Sequence, residues 1–175
     1  VTEVKTFPVP FGLREIKENV SISTNTTSKP SKEQIINQAI NFHVEGNISE
    51  ATKYYQQLID QGVEDHIIFS NYGVILKSEG NSQEAEILYR KAIKLNPNFS
   101  DAHYNLANIL AVVGKFKDAE ISYRKAIKLN PGFANAHYNL GNTLKDLGKF
   151  KDAEISYRKA IKLNPGFANA HYNLG

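Results

Sequence analysis

The sequence predicts an all-α fold built from tandem antiparallel helix pairs, and three observations carry that reading. Pro97, Pro131 and Pro165 are spaced by 34 residues. The 28 residues Gly114–Gly141 recur letter for letter at Gly148–Gly175, again 34 positions on. Between these landmarks, small and large apolar residues recur in steps of three and four, the period of a helix rather than a strand.

Residues 1–31 do not share the repeat. Val4, Phe7, Val9, Phe11 and Leu13 fall mostly on alternate positions, and Pro8 and Pro10 favour extended backbone. This segment is expected to be a tail or a strand-like stretch lying on the first repeat, the alternative being an extended peptide that occupies a groove. Ser21–Ser31 is polar and turn-rich, which reads as a linker. Ser31 followed by Gln34 is a capping-box pattern and places the first helix start at Lys32.

From there each unit reads as two helices. The first carries Tyr72, Gly73 and Leu76, then Leu106, Ala107 and Leu110, then Leu140, Gly141 and Leu144. A glycine ends it each time, at Gly80, Gly114 and Gly148, as suits a left-handed helix end. The second helix carries Ala85, Tyr89 and Ala92, then Ala119, Tyr123 and Ala126, then Ala153, Tyr157 and Ala160. Asn-Pro closes it, because the residue before proline avoids the helical region. Small residues at fixed places allow two helices to approach closely while Tyr and Leu fill the space between.

This pattern resembles the tetratricopeptide repeat. Three copies, His66–Phe99, Ser100–Phe133 and Ala134–Phe167, fit its motif closely. A looser copy runs over Lys32–Asp65 through Ala39, Phe42, Gly46, Ala51, Tyr55 and Leu58, with Gly62-Val63 where the others have Asn-Pro. A fifth begins at Ala168 and runs to Gly175. His103, His137 and His171 stand where the family usually has Trp, and Leu110 and Leu144 where it has Tyr; both are read as packing variation. The resemblance implies a right-handed superhelical solenoid over residues 32–175. With Val1 in place of a start methionine and a last unit of eight residues, the chain is expected to be a piece of a longer array. Its C-terminal edge is then expected to expose Tyr157, Ala160, Leu163 and Leu174, an edge on which copies could stack head to tail.

Composition narrows the function. Lys and Arg number 21 against 18 Asp and Glu, a net charge of +3, too little for a dedicated nucleic-acid face. No apolar run reaches the roughly 18–20 residues of a membrane span, and no signal-peptide pattern opens the chain, from which a cytoplasmic location is expected; the near-identical units resemble those of bacterial repeat proteins, which implies a bacterial origin. With no cysteine, thiol chemistry and Cys-ligated metals are excluded. No phosphate loop, nucleophile elbow or zinc motif is present. His103, His137 and His171 lie one repeat apart, too far to share a metal about 2 Å from each ligand. Glu86–Arg90, Glu120–Arg124 and Glu154–Arg158 are i, i+4 pairs read as solvated faces. No enzyme, cofactor or metal is expected.

The informative residues lie on the first helices, which in this family line the concave groove. Asn37, Asn71, Asn105, Asn139 and Asn173 occupy one register, and Asn108 and Asn142 follow three residues after two of them, beside Tyr104 and Tyr138. Amides at repeat spacing offer donors and acceptors to the backbone of an extended peptide. The competing reading is that these asparagines stabilise the packing of the helices. The ladder is similar to the one lining the repeat domain of O-linked N-acetylglucosamine transferase. The basic clamp of chaperone-binding relatives is missing, since its lysine would fall at Ser70, Tyr104 or Tyr138. The expected function is recognition of a protein or extended peptide, with a transferase's recruiting arm or a self-assembling scaffold as alternatives.

Overall fold

Nine helices make up residues 30–174, the part of the chain that the computed structural model describes. The segment Val4–Leu13 and the linker up to Lys29 lie outside the described residues. The helices are α1 (Lys32–Val44), α2 (Ile48–Asp60), α3 (His66–Ser78), α4 (Ser82–Leu95), α5 (Ser100–Val112), α6 (Phe116–Leu129), α7 (Ala134–Asp146), α8 (Phe150–Leu163) and α9 (Ala168–Leu174). No strand occurs among the described residues. The chain divides into two compact units between Leu95 and Asn96.

In the first unit α1 packs on α2, α2 on α3, and α3 on α4. The Ser31 hydroxyl accepts from the Gln34 backbone N–H at 3.2 Å, and the Gln34 side-chain oxygen accepts from the Ser31 N–H at 2.7 Å. That reciprocal pair satisfies two of the donors a helix start leaves open. Asp65 caps α3 in the same spirit, accepting from Ile67 and Ile68. The core joins Ala39, Ile40, Ala51, Tyr55, Leu58, Val63, Ile68 and Ile75. The missing Asn-Pro after α2 is replaced by a different device. Gly62, at φ 74°, donates to Ile59, while Val63 donates to Leu58 and buries its side chain. The positive φ ends the helix where a pre-proline residue does so elsewhere.

In the second unit α5 packs on α6, α6 on α7, α7 on α8 and α8 on α9. Asn130 and Asn164, held at φ −132° and −137°, end α6 and α8 in extended backbone. Each side-chain oxygen accepts from the N–H two residues on, Gly132 and Gly166, at 3.2 Å, so the bend is closed by the residue that starts it. The histidines act on this bend too. Nε2 of His103, His137 and His171 reaches the carbonyl of Pro97, Pro131 and Pro165 at 3.0, 3.3 and 3.0 Å. A carbonyl only accepts, so the ring nitrogen carries the proton and donates. The rings tie down the loop instead of filling a core.

One tyrosine per repeat fills the middle of each helix pair: Tyr55, Tyr89, Tyr123 and Tyr157 are at most 2% exposed. Facing them on the first helices are Ala39, Gly73, Ala107 and Gly141. A Cβ at Gly141 would sit 2.5 Å from the Tyr157 ring, and one at Gly73 would sit 2.8 Å from Tyr89. The expected exposed C-terminal edge needs correction. Tyr157 is 2% and Ala160 0% exposed, because α9 packs on α8; Leu174 is half-buried and Leu163 alone of the four is exposed.

Candidate functional site

The asparagine register is built into the packing of the second unit. Tyr123, buried from α6, donates its hydroxyl to Asn108 Oδ1 on α5 at 2.7 Å. Asn139 on α7 donates Nδ2 to the same Oδ1 at 2.9 Å and to the Tyr104 hydroxyl at 3.2 Å. The next repeat copies the arrangement. Tyr157 donates to Asn142 Oδ1 at 2.9 Å, and Asn173 Nδ2 reaches both Asn142 Oδ1 and the Tyr138 hydroxyl at 3.1 Å. Each joint therefore links the two helices of one repeat to the first helix of the next. Burial pushes the phenols of Tyr104 and Tyr123 up, and Tyr157 up to about 12, so all three keep their protons at neutral pH.

Aromatic packing closes the same joint. Phe133, just before α7, lies 4.5 Å from the Tyr104 ring, and Phe167 lies 4.8 Å from Tyr138. Tyr104 and Tyr138 are thereby held on ring and hydroxyl at once. A buried carboxylate adds a second link. Glu120 is 5% exposed and pairs with Arg124 on its own helix and with Lys149, whose Nζ lies 2.9 and 2.8 Å from its two oxygens. Burial acts to raise its pKa, but the hydrogen bond from Lys149 and the charges of Arg124 and Lys149 prevail and hold it below the usual range. The Glu120 carboxylate is thus buried while Arg124 and Lys149 reach it from the surface, whereas Arg158–Glu154 keeps the exposed character expected.

The remaining register positions differ. Asn71 is fully buried and in hydrogen-bonding contact with the Tyr55 phenol. Asn105 is 7% exposed, and its Nδ2 has no partner among the described residues. Asn37 is half-buried on α1. The structure thus brings Tyr104, Asn108 and Asn139, and Tyr138, Asn142 and Asn173, into two joints; it does not bring Asn37, Asn71 and Asn105 into a third. In each complete joint the shared Oδ1 is taken twice; Asn108 is also in hydrogen-bonding contact with the Tyr104 phenol, whereas Nδ2 of Asn142 takes part in no hydrogen bond among the described residues. The sequence reading missed Tyr123 and Tyr157 as members; their fixed spacing of 15 residues from Asn108 and Asn142 was the available signal.

The first unit keeps the tyrosine but not the amide. Val74 stands where Asn108 and Asn142 stand, and the buried Tyr89 hydroxyl has no partner among the described residues. In the first repeat Tyr55 instead lies 3.5 Å from His43 Nδ1. Among the described residues no group of three His, Cys, Asp or Glu could hold a metal ion, and no helix is long and apolar enough to cross a membrane.

Copies of one joint connecting successive helix pairs define a helical-repeat protein. Tetratricopeptide repeat models match residues 100–133 and 134–167, and a second repeat model of the kind matches 73–114. Together they span more than half of the sequence, and the chain belongs to the tetratricopeptide repeat family. No curated protein matches it. Among solved structures it is similar to MamA (residue 41 to the end) from Desulfovibrio magneticus RS-1, with 23% identity and a TM-score of 0.72 over 81% of this chain and 80% of that one. It is also similar to YrrB, described as a TPR protein with an unusual peptide-binding site, at 23% identity and TM-score 0.70 over 79% and 72%. A third is the first TPR of Spaghetti (RPAP3) bound to HSP90 peptide SRMEEVD, at 24% identity and TM-score 0.61 over 62% and 86%. At such identities the likeness is one of fold.

Proposed function

We propose that this chain is a protein-interaction module that takes an extended segment of a partner protein across the face shared by α5 and α7. The observation that carries this reading is the repetition of one joint, which sets the amides of Asn108 and Asn142 one repeat apart, with Nδ2 of Asn142 taking part in no hydrogen bond among the described residues. Each amide is held by an Oδ1 anchored from two sides. Such donors suit the backbone carbonyls of an extended chain, which recur along it whatever its side chains. On this reading Asn139, Asn173, Tyr104 and Tyr138 set the geometry of the face, and Asn37, Asn71 and Asn105 serve the packing of their own helices. The module acts by binding and not by catalysis. That two proteins of like fold are described with a peptide site or a bound peptide agrees with this assignment.

A net neutral hydrogen bond contributes only about 0.5–1.5 kcal/mol, so affinity must come from several contacts together. The test is to select binders from a library of random extended peptides displayed on phage, using the whole chain as bait. The best peptide is then titrated by calorimetry against wild type and Asn108→Asp/Asn142→Asp. Asp keeps the doubly used oxygen but turns each amide donor into an acceptor that repels a carbonyl. A stability loss no larger than that of one hydrogen bond, about 0.5–1.5 kcal/mol, with at least roughly tenfold weaker binding is expected. Equal binding by the variant would remove these two residues from the site.

A further inference from the structure

A cavity of about 220 Å³ opens in the first unit, where α2, α3 and α4 meet. It lies on different helices from the α5 and α7 face. Its apolar wall is Ile59, Leu76, Ile87 and Leu88, and Ile87 is 55% exposed, an isoleucine left in water at the mouth. Small-molecule sites usually run to roughly 300–1,000 Å³, so this one has room for a single long side chain rather than a cofactor.

The rest of the cavity is polar and anionic. Tyr72 donates its hydroxyl to Gln56 Oε1 at 3.0 Å, and Gln56 Nε2 donates to Asp60 Oδ1 at 2.7 Å, which fixes the amide's orientation. Glu84 lines the cavity. Burial and then the charges of Glu79, Glu84 and Asp60 raise the Tyr72 phenol, which places all three carboxylates within electrostatic reach of one hydroxyl. None of the three is in an ion pair among the described residues.

Glu84 keeps the acid of its register, where Glu50, Asp118 and Asp152 stand, but the charge around it differs from that of the later copies. At the register of Gln56 the later copies carry Arg90, Arg124 and Arg158, and at that of Asp60 they carry Lys94, Lys128 and Lys162. Val113 and Leu147 stand at the register of Glu79. Gln56 on the cavity wall, Asp60 hydrogen-bonded to it and Glu79 within electrostatic reach of Tyr72 thus differ from the later copies, each in the direction that removes positive charge or adds negative charge, in a chain whose net charge is +3.

We propose that this cavity is a second binding site, one that takes an arginine or lysine side chain from a basic segment of a partner protein. The methylene stem lies on Ile59, Leu76, Ile87 and Leu88, and the cationic head meets Glu84, Asp60 and Glu79. Long cationic side chains are suited to a site that is apolar along its wall and anionic at its mouth.

The probe is a short capped peptide, Gly-Leu-Arg-Leu-Gly, beside its neutral twin with citrulline in place of arginine. Both are titrated into the whole chain while the Tyr72 ring and the Leu76 and Leu88 methyls are followed by NMR. Saturable shifts of all three with the arginine peptide are expected, with roughly three- to tenfold weaker binding of the citrulline twin. Asp60→Lys/Glu79→Leu installs residues that the later repeats already carry at these places, and should weaken the arginine peptide by a similar factor. Asn108→Asp/Asn142→Asp should leave it unchanged, which separates this site from the α5 and α7 face. Equal shifts from the citrulline twin, undiminished binding by Asp60→Lys/Glu79→Leu, or no saturable shift with either peptide would overturn the assignment.

Discussion

Tyr89 and Tyr123 hold the same place in successive repeats, are equally buried, and should respond to the loss of one oxygen atom with opposite sign. In Tyr123→Phe the 2.7 Å hydrogen bond to Asn108 disappears, while Asn108 Oδ1 keeps its second donor, Asn139. The cost is that of one net hydrogen bond, about 0.5–1.5 kcal/mol. In Tyr89→Phe the hydroxyl removed has no partner, since Val74 occupies the place of the amide. A buried polar group without a partner is destabilising by about 1–3 kcal/mol. Its removal leaves a void of only one atom, so a gain of up to about 1 kcal/mol remains after the void is discounted. The two variants should therefore differ by about 0.5–2.5 kcal/mol, or a few degrees in Tm for a protein of this size. Urea titrations followed by far-UV circular dichroism read both, and the two residues belong to different units, so each transition is compared with its own wild-type limb. Val74→Asn supplies the check, because it should make Tyr89 worth as much as Tyr123 in a double-mutant cycle. If Tyr89→Phe is as harmful as Tyr123→Phe, or more so, the hydroxyl is satisfied and the reasoning fails.

Two further outcomes follow from the same packing. Gly141→Ala would set a Cβ 2.5 Å from the Tyr157 ring, yet Ala107 holds the equivalent position one repeat earlier, where the tyrosine is Tyr123. A small ring shift and the roughly 1 kcal/mol helical preference for Ala should leave thermal stability equal or slightly higher, and a loss above about 1 kcal/mol would refute the equivalence, whereas Gly141→Leu should cost about 1–3 kcal/mol by overpacking. His43 is 2% exposed, and burial depresses its pKa from 6.5 to about 4. The unfolded chain binds this proton first on acidification, so stability is lost as pH falls from about 6.5 towards 4, by up to about 3 kcal/mol. His43→Leu should flatten that part of the pH–stability curve, measured by urea midpoints, and an unchanged slope would exclude His43 as its source.

The helix boundaries were legible because local chemistry sets them. Ser31 and Gln34, the turn glycines and each Asn-Pro state where a helix starts or stops without reference to anything distant. Gly62-Val63 shows the limit of that logic, since the loss of a motif did not mean the loss of the turn. The sequence also grouped Tyr104, Asn108 and Asn139 on one face. It did not show which of their atoms remain unused, because that depends on Tyr123 fifteen residues further on and on a neighbouring repeat. Glu120 and Glu154 are identical in local sequence, and only the arrival of Lys149 from the next repeat makes the first one interior. The cavity between α2, α3 and α4 was invisible for the same reason: Gln56, Tyr72 and Glu84 are ordinary residues until three helices meet.

The joint between repeats has a consequence for how such a gene can lengthen. The segment Ala134–Phe167 carries both halves of the joint, the donor Asn139 for the unit before it and the acceptors Tyr138 and Asn142 for the unit after it. Recombination that copies one unit in frame therefore delivers a module whose two ends already fit its neighbours, with no compensating mutation needed. Where Val74 has replaced the amide, a copied unit would carry the mismatch with it. The letter-for-letter identity of Gly114–Gly141 and Gly148–Gly175 is what such copying leaves behind.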